Sequence, residues 1–406
     1  MSKRKVLIIG GGVAGPALAL FLQRAGIESA LYEAGEKADD QAGSFLNVAS
    51  NGMGVLKTLG LDQAIAQEGI ACPQLMMWNG QGKLLGVVPN GFKPGEGPTS
   101  VTVKRATLHK TLHDEAVRQG IQVEFSKKLK DIEVNKADGT QRVRAIFSDG
   151  SSAEGDLLIG CDGIHSRTRQ IIDPNAPLPR YTGLVSCGGY ARLPVAELPD
   201  VPRLTQHLIF GKRAFFGYLL RPDGEIYWFE NLAYPGTPRR SELEAISDET
   251  WKEKLLAMHQ EDQPVIQKMI HATTSAISIY PIYDIPTQPI WHKGPICLIG
   301  DAAHATSPSA GQGASLALED AIVLARCLRD LPETSAAFRT FEQLRRERAE
   351  KIVNFSRDRG ANKVAPNALA RWLRDMTLPF ILRHFAKEDS LRWIADYNVA
   401  WDAPVA

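Results

Sequence analysis

Charge of one sign is missing from this 406-residue chain: 47 Lys and Arg face 46 Asp and Glu, for a formal net charge of +1 at pH 7. Bulk electrostatics therefore offers no attraction to nucleic-acid phosphate or anionic lipid. Cysteine is scarce. Cys72, Cys161, Cys187, Cys297 and Cys327 form no CxxC pair and no His/Cys cluster at metal-ligand spacing, so no metal site is expected. They read as reduced thiols of a cytoplasmic protein, filling apolar space. Long hydrophobic runs are absent too. The uncharged stretch Val6 to Leu22, behind Lys3-Arg4-Lys5, imitates a secretory signal. It falls short of the roughly 20 residues that span a bilayer, and Gly10, Gly11, Gly12, Gly15 and Pro16 interrupt it. What is there is a globular composition, 44% hydrophobic and 23% charged, in a chain long enough for two or three domains.

Split at its glycines, the N-terminal stretch becomes strand, turn and helix. Val6 to Ile9 is a buried parallel-type strand, and Pro16 to Ala25 is a helix closed by Gly26. A second strand, Ser29 to Tyr32, delivers Glu33 about twenty residues after the glycines, the spacing of a dinucleotide fingerprint. Gly10 makes the tight turn, Gly12 lets the backbone approach a pyrophosphate, and Gly15 lets the helix pack, with Ala14 beside it at the helix's positive end. Glu33 is placed to accept hydrogen bonds from a ribose. FAD and NAD share this ADP half, so the fingerprint alone leaves both open.

Two later segments narrow the choice. Asp156 to Ile159 is again a short apolar strand running into Cys161-Asp162-Gly163. Ile296 to Ile299 ends at Gly300-Asp301-Ala302-Ala303-His304, and after Pro308 the run Gly311-Gln312-Gly313 opens a long apolar helix, Ala314 to Leu328. A carboxylate at the end of a central strand lies where open α/β sheets bind ligands, and it can accept from a ribityl chain.

With these three ordered motifs the chain resembles the class A flavoprotein monooxygenases of the para-hydroxybenzoate hydroxylase and Tet(X) kind. The resemblance covers most of the first 350 residues. It implies tightly but non-covalently bound FAD, with Glu33 on the adenosine ribose, Asp301 on the ribityl chain, and Gly311, Gln312, Gly313 and Ala314 at the flavin's pyrimidine edge. It also implies that Arg105, opening a helix in Val103 to Leu108, contacts the FAD, and it adds Asp162 and Pro308 to the cofactor set. One fingerprint leaves no second nucleotide fold, so NAD(P)H is expected as a transient co-substrate. The implied reaction is hydroxylation or epoxidation of an aromatic or polyketide-like small molecule, with O2 activated as a flavin C4a-hydroperoxide. Alternatives on the same fold are a flavin dehydrogenase or reductase, and a non-catalytic FAD-fold binding protein.

The expected fold is α/β: a Rossmann-like FAD domain from 1–70, 98–177 and 278–345, a substrate domain from 71–97 and 178–277, and C-terminal helices over 346–406. After a helix carrying Leu108, Leu112 and Ala116, the strands Val123 to Phe125, Ile132 to Val134 and Val143 to Phe147 read as a meander turning at Asp138-Gly139 and Asp149-Gly150. Short antiparallel strands follow from Gly188 to Leu232, and Ile277 to Ile282 returns toward the FAD domain. Among the aromatic residues of those strands, Tyr218 and Trp228 are the expected walls of a substrate pocket, with Met76 to Trp78 as a second wall. His304 is expected to be structural, and His207, Tyr218 and Glu230 are candidate phenol activators, so no catalytic base is named. Arg345-Arg-Glu-Arg348 reads as a solvated face, and Pro379 as a break in the apolar stretch Leu369 to Phe385. The expected partners are a small aromatic substrate and at most a second copy, monomer or dimer, with no nucleic acid and no integral membrane association.

Overall fold

The computed structural model describes residues 4–36, 44–92, 95–137, 140–198, 200–385 and 388–405. Its first sheet has six strands in the order His292–Lys293, Ile296–Leu298, Leu157–Gly160, Lys5–Ile9, Glu28–Tyr32 and Gln122–Glu124. All pairs are parallel except the terminal hairpin. Near-continuous apolar strands such as Val6 to Ile9 belong in a sheet covered on both faces, and these residues are buried throughout. The helices Ala14–Arg24 and Gly313–Asp330 pack on the sheet and on each other within one apolar core.

Chain order reverses between Lys5–Ile9 and Leu157–Gly160, which creates a switch point. The turns at Gly10, Cys161 and Gly300 thus all leave the carboxyl ends of adjacent strands. Two local expectations change. Gln122–Glu124 pairs in parallel with Glu28–Tyr32 and belongs to this sheet. The meander is Leu129–Ala137, Thr140–Phe147 and Ser152–Gly155, with Gly150 at φ 84° in its second turn. The Asp138-Gly139 turn lies outside the described residues.

A second sheet has seven strands: Ser278–Asp284, Arg180–Arg192, Glu225–Ala233, Ala214–Leu220, Thr205–Phe210, Gln74–Asn79 and Leu84–Pro89. Ser278–Asp284 pairs with Arg180–Arg192, so the segment expected to return to the FAD domain is an edge of this sheet. Alternation along each strand gives the sheet two unlike faces. One carries Phe216, Tyr218, Ile226 and Trp228 into a core closed by the helices Asp248–Met258 and Pro264–His271. The other presents Phe215, Leu219, Tyr227, Phe229 and Asn231.

The long helix Thr334–Ala361 runs through the boundary expected at 345/346. Its Arg345-to-Arg348 face is not solvated. Arg345 is fully buried and pairs with Glu319 and Asp320 of helix Gly313–Asp330, while Arg348 pairs with Glu319. Only Arg346 makes the expected one-turn pairs, with Glu342 and Glu350. Pro379 lies inside the continuous helix Ala368–Phe385. This helix lays Leu382 against Gly86 of the second sheet and leaves Leu369, Trp372, Met376 and Phe380 exposed. Among the described residues no helix is long and apolar enough to cross a membrane.

Candidate functional site

The glycine turn is built as the sequence requires. Gly10 has φ 108°, and a Cβ there would lie 2.3 Å from the Cys161 carbonyl oxygen. A Cβ on Gly15 would lie 2.0 Å from the carbonyl oxygen of Gly10, so the helix can reach the turn only without a side chain. Gly12 differs from both. Apart from its chain neighbours, none of the described residues lies within 4 Å of the place its Cβ would take. The turn therefore opens onto free space in front of helix Ala14–Arg24, whose first turn no side chain caps. Glu33 braces this loop: its carboxylate accepts from Gly11 N at 2.5 Å and Gly35 N at 2.7 Å. His113, which no sequence motif singles out, bonds Gly11 O through its Nε2 at 2.5 Å.

At the next strand end, both oxygens of Asp162 are engaged by the start of helix Arg167–Ile172. Ser166 Oγ donates at 2.5 Å, Thr168 N at 2.9 Å and Thr168 Oγ1 at 3.0 Å. The carboxylate thus sets the loop's shape. Arg169, also missed from sequence, is buried and donates to Ala302 O and Ile164 O, tying this turn to the third.

Asp301 opens that third turn after Gly300, at φ 59°. Its side chain is exposed at the carboxyl end of the strand. Enclosure pushes its carboxyl above the ordinary range, while His304 and Arg105 pull the other way. Arg105 and Asp301 thus act across one space. His304 is a bracket, as expected: its Nε2 meets Asp320 Oδ2 at 2.6 Å, and its ring packs on Trp291 at 5.2 Å. Asp320 also accepts from Gly300 N at 2.8 Å and Arg345 Nε at 2.7 Å. Burial alone pushes the Asp320 carboxyl up, but His304, Arg345 and the Gly300 N–H together hold it at about 2.

Pro308 starts the short turn Pro308–Ala310, and Gly311 at φ 62° reverses the chain into helix Gly313–Asp330. No side chain caps that helix. Gln312 is turned inward, accepting from Asn51 Nδ2 at 3.0 Å, and Ala314 packs on the core. The strand Phe45–Val48 is strapped alongside. Asn47 Nδ2 donates weakly to Gly311 O at 3.4 Å, and Ala49 N donates to Ser315 Oγ at 3.0 Å. Asn47 Oδ1 is buried and has no partner among the described residues, an acceptor held next to the helix start. Nothing in the sequence marked Asn47, because it stands alone on a short strand with no motif.

The second sheet meets this loop with its Phe215/Phe229 face. Phe45 stands 5.3 Å from Tyr227 and 6.0 Å from Phe229, ring centre to ring centre. Tyr218 and Trp228 point the other way. Trp228 is fully buried, donates from Nε1 to Thr273 Oγ1 at 3.1 Å and stacks on Phe216, and Tyr218 stacks on His207. They are core residues beneath the helices rather than pocket walls, because the strand's period of two assigns Phe215 and Phe229 to the cleft side. Met76 and Trp78 share their face, while Met77 lies on the other. Glu230 is engaged beneath the sheet as well, paired with His259, which Asp262 also holds. The five cysteines are buried free thiols, and burial pushes those of Cys72 and Cys327 up to about 12.

Three glycine turns leaving adjacent strand ends at a sheet's switch point, with an open Cβ position at Gly12 and an orphaned acceptor at Asn47, have the arrangement that a dinucleotide-type cofactor requires. The chain matches the family described as FAD binding domain over residues 3–356. It is 31% identical to the aurachin C monooxygenase/isomerase of Stigmatella aurantiaca over 91% of this chain and 92% of that protein. It is 29% identical to the 6-hydroxynicotinate 3-monooxygenase of Bordetella bronchiseptica, covering 88% and 91%. The solved structure of Klebsiella pneumoniae HpxO complexed with FAD and uric acid superimposes with a TM-score of 0.81, at 26% identity over 96% of this chain and 97% of that one. The chain belongs to the FAD-binding family of class A flavoprotein monooxygenases, and its cofactor is FAD.

Proposed function

We propose that the protein uses NAD(P)H and O2 to hydroxylate or epoxidise a small aromatic or polyketide-like substrate lying between the cofactor cleft and the Phe215/Phe229 face of the second sheet. The observation that carries this reading is the meeting of the three turns with that aromatic face across the Phe45–Val48 strand. When bound, FAD supplies the chemistry of taking two electrons from NAD(P)H and passing one atom of O2 to carbon. For hydroxylation the balance is C–H + O2 + NAD(P)H + H⁺ giving C–OH + H2O + NAD(P)⁺.

The chain's own residues bind, orient and shield. The Gly12 cradle and the start of helix Ala14–Arg24 take the pyrophosphate, Glu33 accepts from the adenosine ribose, and Asp301 accepts from the ribityl hydroxyls with Arg105 opposite. Asn47 Oδ1 accepts from the N–H at the pyrimidine edge. The uncapped start of helix Gly313–Asp330 favours negative charge there by about 0.3 to 2 kcal/mol. The aromatic rings of the second sheet keep water from the reacting carbon.

Oxygen labelling tests the proposal. Turnover under ¹⁸O2 with NADH or NADPH is expected to place one labelled atom in the product; label confined to water or peroxide rejects it, and turnover without oxygen favours a dehydrogenase. A second expected outcome concerns Asp301. Asp301→Ala should retain less than a tenth of the parent's FAD after gel filtration. The apoprotein should be no less stable near neutral pH, because a carboxyl raised by enclosure opposes folding once ionised, above its unfolded value. Undiminished flavin content would refute the ribityl role.

A further inference from the structure

The end of helix Thr334–Ala361 holds two enclosed cations that no carboxylate answers. Lys363 is 8% exposed, and its Nζ donates to Asn231 Oδ1 at 2.6 Å. The same ammonium lies 4.8 Å from the ring centre of Phe215 and 5.9 Å from that of Phe229. Arg359, one helical turn earlier, lies 5.1 Å over the ring of Phe355. Neither cation forms an ion pair with any described residue. Burial pushes the Lys363 amine down to about 7, and the like charge of Arg359 adds to the effect.

Their position gives the pair a use. Gly360 lies against Ser307 and Ser309, and Ser356 Oγ bonds Ser307 and Ala310, so the helix end is fastened to the loop that runs into Gly311. The two cations therefore stand between that loop and the cleft-side face of the second sheet. The groups in contact with Lys363, Phe215, Phe229 and Asn231 from the sheet, are uncharged, as are Phe355 beneath Arg359 and Ser307 and Ser309 beside the intervening Gly360. Glu230, next to Asn231 in sequence, is on the opposite face with His259. Two other enclosed cations are answered more fully: Arg345 by the acids Glu319 and Asp320, and Arg169 by the carbonyl oxygens of Ala302 and Ile164. A buried cation without a counter-charge is costly, and a helix C-terminus recovers only part of that cost. Three ammonium hydrogens, of which Asn231 takes one, leave donors for an incoming acceptor.

We propose that Lys363, held by Asn231 and backed by Arg359, is the receptor for an anionic oxygen, carboxylate or phenolate, on the aromatic substrate. The inference rests on the monooxygenase reading for turnover of the bound molecule, whereas the receptor itself is tested by binding alone. Aromatic rings at Phe215 and Phe229 flank the ammonium, so a flat substrate can place its ring against theirs and its charged oxygen on Nζ. An arriving anion restores the proton to Lys363, so affinity for the anion falls as pH rises above the neutral range.

The test uses FAD-loaded protein titrated with salicylate, 4-hydroxybenzoate and 6-hydroxynicotinate, each against its amide, followed by the flavin absorbance change at pH 6.5 and 8.5. At least one acid should bind the parent tenfold or more tightly than its amide at pH 6.5, with a smaller margin at pH 8.5. Lys363→Met should reduce that margin to threefold or less at unchanged FAD content, and Lys363→Arg should keep it. A parent that prefers none of the acids, including one that binds neither member of any pair, overturns the receptor. A Lys363→Met variant that keeps the margin does so too. Oxygen labelling of whichever probe is turned over reports separately: a labelled product without acid preference overturns the receptor and leaves the monooxygenase standing.

Discussion

Gly12→Val folds as the parent does and leaves purification with less than a hundredth of its FAD, whereas Gly15→Val fails to reach the folded state. Both replace a glycine of one turn with the same side chain, and the difference lies in what each Cβ meets. At Gly12 no described residue beyond the chain neighbours lies within 4 Å, so the isopropyl group is accommodated in the apoprotein and stands where a pyrophosphate must approach the backbone. At Gly15 the Cβ is driven to 2.0 Å from the Gly10 carbonyl oxygen and 3.0 Å from Leu31 Cδ1, so the helix must leave the sheet. Far-ultraviolet circular dichroism with flavin absorbance on the same samples separates the two losses. A Gly12→Val protein that keeps bound FAD would show that the phosphates lie elsewhere.

Asp320→Ala is expected to cost about 3 to 5 kcal/mol, the range for breaking a buried ion pair by removing one partner. The carboxylate serves Gly300 N, His304 and Arg345 at once, and its loss leaves Gly300 N and His304 Nε2 without that acceptor and Arg345 with Glu319 alone, all away from solvent. Urea unfolding at fixed FAD concentration measures it. The pH dependence has a definite sign. The folded carboxyl lies at about 2, below its ordinary value of 3.8, so the stabilisation is complete above pH 3.8 and fades as pH falls through about 2. The parent should lose part of its advantage over the variant on acidification below 3.8, and a constant difference across that window would sink the assignment.

The cofactor side of the site was legible because its chemistry is written in backbone. Gly10, Gly15, Gly300 and Gly311 are positions where the protein itself excludes a side chain or an ordinary φ, Gly12 is one where only a bound phosphate would, and such constraints appear in sequence as glycines at fixed spacing. The substrate side was not legible to the same degree. Phe215, Phe216, Trp228 and Phe229 are interchangeable in composition, and only pairing register and the helices Asp248–Met258 and Pro264–His271 decide which ring faces the cleft. Tyr218 and Trp228 were expected there and lie on the other side for that reason. Lys363 was invisible for another reason: it follows a helix whose charged residues read as surface, and its enclosure arises from strands more than a hundred residues earlier. Arg345 was misplaced by the same logic, since an Arg/Glu-rich helix reads as solvated until Glu319 and Asp320 are seen beneath it.

The parallel pairing of Gln74–Asn79 with Thr205–Phe210 bears on how this enzyme can be re-engineered. The second sheet is sewn from two separate stretches of chain, and Ser278–Asp284 finishes its opposite margin. It is not a cassette. Exchanging only the long insertion with a relative's would import central strands cut to another protein's borders, leaving mismatched registers at both seams. A working chimera must carry all three pieces together, and with them the helix Ala368–Phe385 that lies against the outermost strand.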